Sequence, residues 1–163
     1  LRLIDCWLTA SVRCAPPDNR PKPAERRSCR PYLEREIDVL LPGLEGIVAL
    51  GGYAYRHVMR IFRDRGWDVP SPMPDFGHGL EVVLGPPPDV DAAGPDALAA
   101  DGTVGGDVAS FAGDRGRDER PGSLTLLTSY HPSQQNTFTG TLTEEMFDRV
   151  WERARELGAQ AGR

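Results

Sequence analysis

Leu124-Thr125-Leu126-Leu127-Thr128-Ser129-Tyr130-His131-Pro132-Ser133-Gln134-Gln135-Asn136 joins an apolar run directly to a polar exit. The run Leu124–Ser129 is apolar enough for a strand with little exposure on either face. The eight residues from Ser129 to Asn136 then bring a histidine, a proline, two small hydroxyls and three amides. Open α/β sheets place ligand-handling residues at the C-terminal ends of their strands. These side chains suit hydrogen bonds to a base or a phosphate better than burial. A strand-to-loop exit capped by satisfied polar groups is the plain alternative.

Working outward, the chain alternates strand and helix patterns. Residues 1–9 read as a largely buried strand, which breaks at Pro16-Pro17. A helix is expected from Pro23 to about Leu41, with Pro31 able to kink it. Residues 46–52 form a short strand with a glycine exit, followed by a helix over 53–65 that Gly66 ends. Glu81–Leu84 and Leu124–Ser129 are two further strands. Thr143 caps a final helix whose apolar face is Met146, Phe147, Val150, Trp151 and Ala154. Alternation of this kind predicts an α/β fold, a three-layer α/β/α sandwich around a short central parallel sheet.

At 163 residues the chain has the length of one domain. Residues 85–123 interrupt it with almost no large apolar side chains, a composition that predicts a flexible acidic insertion. That segment holds Asp89, Asp91, Asp96, Asp101, Asp107, Asp114, Asp118 and Glu119 against Arg115, Arg117 and Arg120, so it carries the whole net charge of -5. The rest is neutral, with a basic cluster at Arg13, Arg20, Lys22, Arg26, Arg27 and Arg30. The acidic total is therefore no objection to a nucleic-acid partner. No apolar run is long enough to span a membrane. No secretory leader is visible, so a cytoplasmic location is expected. Leu1 already stands inside a strand pattern, which suggests further sequence upstream.

Cys14 and Cys29, separated by fourteen residues across a proline-rich loop, could be ligands of an iron–sulfur cluster or zinc, or ordinary buried thiols. Cys6 reads as a packing residue. His131, stiffened by Pro132-Ser133, could donate to an oxygen that gains charge during a reaction, or could simply cap the turn. Asn19, clamped by Pro16, Pro17 and Pro21, could present an amide to a base edge or serve as a turn former. His57 and His78 read as surface or packing residues. Gly51-Gly52 lacks the third glycine of a dinucleotide-binding turn.

Taken together, three groups of residues carry a family resemblance. The first is Thr9-Ala10-Ser11-Val12-Arg13-Cys14-Ala15-Pro16-Pro17-Asp18-Asn19-Arg20-Pro21 with Glu25-Arg26 and Cys29, and the second is Val48-Ala49-Leu50-Gly51. The third is Ser129-Tyr130-His131-Pro132-Ser133-Gln134-Gln135-Asn136-Thr137-Phe138-Thr139-Gly140. In order and spacing these resemble the C-terminal part of a family 5 (type b) uracil-DNA glycosylase. The resemblance implies a DNA-repair hydrolase that cleaves the N-glycosidic bond of uracil, and of other deaminated bases, after extruding the nucleotide into a pocket. It implies that Cys14 and Cys29 supply two of the four ligands of a [4Fe–4S] cluster. His131 would stabilise the departing base anion near its O2. Ser133, Gln134, Gln135 and Asn136 would belong to a loop that presses into the duplex, and Asn19 would face the base or water.

The family's N-terminal part has no counterpart in these residues. It carries the other two cluster cysteines and the water-activating motif, so this chain is expected neither to hold a complete cluster nor to be fully active. The family 4 relatives have a uracil-reading asparagine at the position of Ala10. The alanine here implies looser base specificity. The implied partner is uracil-containing double- or single-stranded DNA, bound by a monomer. Two other classes remain: a damaged-DNA-binding iron–sulfur module without excision, and a zinc or redox protein built on Cys14 and Cys29.

Overall fold

The computed structural model describes residues 5–13, 21–88 and 122–161. Residues 1–4, Cys14, Asn19, Arg20 and most of the acidic insertion lie outside the described residues. The described residues fall into two compact units, one ending at Gly43 and the other beginning at Leu44.

The first unit is built on helix α1, Pro23–Leu40, which continues into a 3-10 turn at Leu41–Gly43. Pro23 opens it, where a missing N–H costs nothing. The Lys22 amide donates to the Glu25 carboxylate at 2.6 Å, which ties down the entry. Pro31 lies inside the helix without ending it. Leu33, Ile37 and Leu40 form its buried stripe, joined by Leu41. Glu36 is buried on the same helix, where the Thr9 hydroxyl and Arg13 both donate to it, the latter at 2.6 Å. The strand expected over residues 1–9 is not seen in its described part. Asp5 has φ +52°, which breaks a pleat, and Leu8 is 70 % exposed.

The second unit contains β1 (Gly46–Leu50), α2 (Gly52–Asp64), β2 (Glu81–Leu84), β3 (Leu124–Ser129), α3 (Gln134–Phe138) and α4 (Glu144–Ala161). The sheet order is β1-β3-β2. Central β3 is buried along its length except at Thr125, which explains its unbroken apolar pattern. The parallel pairing of β1 with β3 bears out the α/β class. The sheet is mixed, however, rather than parallel throughout, because β2 runs antiparallel to β3. A parallel neighbour needs a crossover element able to pack on the sheet. Residues 85–123 offer too few large apolar side chains to provide one.

Tyr55, Met59, Ile61 and Phe62 on α2 are almost wholly buried, and Trp67 meets Phe62 edge-on at 5.0 Å. Gly66, at φ +77°, ends that helix as its position suggests. Thr143 caps α4 by accepting from the Met146 amide at 3.2 Å. No helix among the described residues is long and apolar enough to cross a membrane.

Candidate active site

Because β1 and β3 are parallel and pair Leu50 with Ser129, their C-terminal ends emerge side by side. The Gly51 amide donates to the Ser129 carbonyl at 2.7 Å, and the chain then turns at φ +91° into α2. A Cβ added to Gly51 would lie 3.2 Å from the His131 Cβ. Position 51 therefore needs glycine for its dihedral and for the close approach of His131. The next glycine, Gly52, leaves similar room for the Phe76 ring, 3.2 Å from where its Cβ would be. Sequence reading finds only a faint likeness of Gly51-Gly52 to a nucleotide-binding turn and argues against a dinucleotide site there. Its actual role is to let the β3 exit come close.

The other flank of β3 is closed by residues Gly77 to Leu80. Thr128, fully buried, donates its hydroxyl to the Gly77 carbonyl at 2.5 Å and accepts from the Leu80 amide at 3.0 Å. Backbone bonds from Gly79 to Thr128 and from Thr128 to Leu80 lie alongside. His78 follows, with Nδ1 accepting from the Tyr130 amide at 3.2 Å and Nε2 against the Met146 carbonyl at 3.2 Å. Tyr130 stands between the His78 and Phe76 rings, 5.2 Å from one centroid and 6.0 Å from the other. Tyr55 anchors this floor by donating to the Pro74 carbonyl at 2.8 Å. Burial, with Asp75 nearby, raises its pKa above the usual tyrosine value.

His131 sits at the end of this clamped strand, with its side chain exposed. Its carbonyl accepts two bonds at 2.8 Å, from the Ser133 amide and from Asn136 Nδ2. The stretch expected to be a loop is in part a short helix, α3. Ser133 caps it by accepting from the Asn136 amide at 3.4 Å, and the Asn136 carbonyl accepts from Leu142 at 3.0 Å. Half-buried Asn136 is thus engaged in holding His131. Gln134 and Gln135 are exposed, and Phe138 is 84 % exposed at the end of the helix. Sequence reading left His78 as a surface or packing residue and gave Phe138 no role of its own. A histidine flanked by two glycines is a local signal, but its partner lies in another strand.

The structure brings His131, Ser133, Gln134, Gln135 and Asn136 together in the second unit. Cys29 belongs to the first, half-buried on α1 and free of any disulfide among the described residues. No three His, Cys, Asp or Glu side chains gather as a metal site among the described residues. The described part holds two free thiols, Cys6 and Cys29, and of the two expected cluster ligands it contains Cys29 alone, suited to a single ligand position. The basic cluster is partly engaged as well. Arg13 pairs with Glu36 at 2.6 Å and lies over the Tyr32 ring at 5.1 Å, and Arg30 pairs with Glu34 at 2.6 Å. Lys22 and Arg27 are exposed. The surface at the start of α4, lined by Glu144, Glu145, Asp148 and Glu152, has the wrong sign for phosphate.

Residues 3–155 match the model of the uracil DNA glycosylase superfamily. A protein of Mycobacterium bovis named type-5 uracil-DNA glycosylase is 37 % identical over 157 residues, which cover 96 % of this chain and 44 % of that protein. One of the same name from Thermus thermophilus is 36 % identical over 157 residues, 96 % of this chain and 52 % of its own length. A type-4 uracil-DNA glycosylase of Sulfurisphaera tokodaii is 40 % identical over 53 residues, 32 % of this chain and 23 % of that protein. The chain spans about half the length of the type-5 relatives it matches.

Proposed function

The chain belongs to the uracil DNA glycosylase superfamily, and from that premise we propose that it forms part of a type-5 enzyme that removes uracil, and other deaminated bases, from DNA. The observation that carries this reading is the setting of His131. Its carbonyl is held by Ser133 and Asn136 and its Cβ lies close beside Gly51, while the residue is exposed next to exposed Gln134, Gln135 and Phe138.

The reaction breaks the bond from C1′ to the base nitrogen, and that electron pair leaves with the base. Water supplies the hydroxyl that ends on C1′, and its other proton finally neutralises the departed base. Charge gathers on the departing base, so a positioned donor is worth most there. An N–H of His131 would donate to the uracil O2 as it becomes anionic. A side chain already fixed at its root does not have to be ordered during the reaction, which is why the clamp matters.

Uracil stacked in a duplex is out of reach, so the nucleotide has to be extruded. Phe138 would enter the gap left by the extruded base, as apolar wedges do in other DNA-bending proteins. Ser133, Gln134 and Gln135 would contact the strand around the site, and Asn136 would act by holding His131. Lys22 and Arg27 would contact phosphates, and the substrate would be double- or single-stranded DNA bound by a monomer in the cytoplasm. Asn19 would face the base or the attacking water. Cys14 and Cys29 would supply two of the four thiolate ligands of a [4Fe–4S] cluster, which when bound would order the loop between them.

The test uses the full-length protein and single-turnover excision of uracil from an oligonucleotide. His131→Ala should slow excision by about 100- to 1,000-fold, the usual cost of one such donor. Duplex binding should persist. Unchanged excision would remove His131 from this role.

A further inference from the structure

We propose that His78 is a positioning residue for His131, acting through the Tyr130 amide. This rests on the glycosylase reading of His131 and adds a residue to it. Strands β2 and β3 pair Leu84 with Leu124, Val83 with Thr125, Val82 with Leu126 and Glu81 with Leu127. Continuing that ladder places Leu80 opposite Thr128 and His78 opposite Tyr130. The Thr128 amide does reach the Leu80 carbonyl, at 3.0 Å. At the next hydrogen-bonding position the chain is turning through Gly77 to Gly79, and the acceptor for the Tyr130 amide is the His78 ring nitrogen, at 3.2 Å. The imidazole takes the place of a strand carbonyl and carries the ladder one step further, up to the residue before His131.

The chemistry also settles the proton. The Tyr130 N–H can only donate, so Nδ1 must be unprotonated. The neutral ring therefore carries its hydrogen on Nε2, which donates to the Met146 carbonyl in the first turn of α4 at 3.2 Å. His78 is thus fixed at both nitrogens and lies against the Tyr130 ring, tilted by 40° with centroids 5.2 Å apart. On the opposite edge, Gly51 holds the Ser129 carbonyl at 2.7 Å. The β3 exit is held from both sides, by a backbone amide on one and an imidazole on the other. A plain packing residue would need neither the tautomer nor the register.

Conservative replacements separate the two nitrogens. Asn at position 78 keeps an acceptor near the Nδ1 position, whereas Gln keeps a donor near Nε2. In the full-length protein His78→Ala should lower the single-turnover excision rate at saturating enzyme by about 10- to 100-fold, as expected when a group that orients a catalytic side chain is lost. Affinity for uracil-containing duplex should stay within about twofold, since His78 touches no DNA in this reading. His78→Asn should recover most of the rate and His78→Gln should not. Equal behaviour of Asn and Gln, or a wild-type rate in all three, would overturn the proposal. Imidazole nitrogen chemical shifts of the unmodified protein give a check that needs no variant. A hydrogen on Nε2 of His78 supports the assignment, and one on Nδ1 refutes it. Failure of the underlying reading would show separately, as wild-type excision by His131→Ala.

Discussion

Gly51 and His131 approach so closely that a single methyl group on Gly51 would lie 3.2 Å from the His131 Cβ. The two residues end adjacent parallel strands, and Gly51 is also held at φ +91°. The backbone at the β1 exit and the side chain at the β3 exit therefore depend on one another.

Gly51→Ala should combine a backbone penalty of about 1–3 kcal/mol, for a φ +91°, ψ 154° conformation open essentially to glycine alone, with displacement of His131. Gly66→Ala provides the comparison, because Gly66 has φ +77° with nothing within 4 Å of the added Cβ. Both variants should unfold at lower temperature. Only Gly51→Ala should slow uracil excision by the full-length protein. Equal effects on excision would break the link between positions 51 and 131.

Phe138 is 84 % exposed, so its replacement by Ala should change stability by no more than about 0.5 kcal/mol. If it fills the gap beside an extruded nucleotide, Phe138→Ala should slow excision from duplex more than from single strands, where there is less stacking to break. Equal losses on both substrates would assign it another part.

Glu81 accepts two bonds from the Arg153 guanidinium, at 2.7 and 3.0 Å. The hydrogen bond from Arg153 holds its carboxyl below the ordinary value of 4.5. A carboxyl depressed in the folded state stabilises the fold above its unfolded pKa, and that contribution is lost as pH falls through the folded value. Arg153→Met should therefore be less stable than the parent at pH 7, by a small margin because the pair is exposed. The two should converge as the solution is acidified below about pH 4. Denaturant midpoints measured across that range would show it, and a constant gap would exclude the pair as its source.

Local patterns were the legible part of this fold. Tyr55, Val58, Met59 and Phe62 recur at helical spacing, and all four are buried in α2. Leu124–Ser129 stands where its apolar run predicts, as does Glu81–Leu84. The direction of β2 was not legible, because both orientations of a four-residue strand satisfy the same alternation. Helix α3 was missed for a related reason. Gln134–Phe138 has a single apolar residue, so no periodicity announces it, and its capping by Ser133 involves one weak local bond.

The site divides in the same way. His131, Ser133 and the amides after it were visible as an unusual cluster at a strand end. Asn136 was taken for a DNA contact, and the structure shows its side chain turned back to the His131 carbonyl. His78 could not be singled out without the register of β2 on β3, which no local window contains. Arg13 and Arg30 looked like free positive charge, yet each has a carboxylate partner on α1.

The antiparallel course of β2 also bears on how this chain tolerates growth. Leu84 and Leu124 face each other as the last rung of the β2–β3 pair, so the two ends of residues 85–123 are tied together there. Closing a longer segment between fixed ends costs only about 0.6 kcal/mol for each doubling of its length. The rung lies five residues from Ser129, roughly 17 Å along the strand from the exit that carries His131. Added sequence is thus anchored at the pole of the sheet remote from the proposed chemistry, where lengthening is thermodynamically cheap.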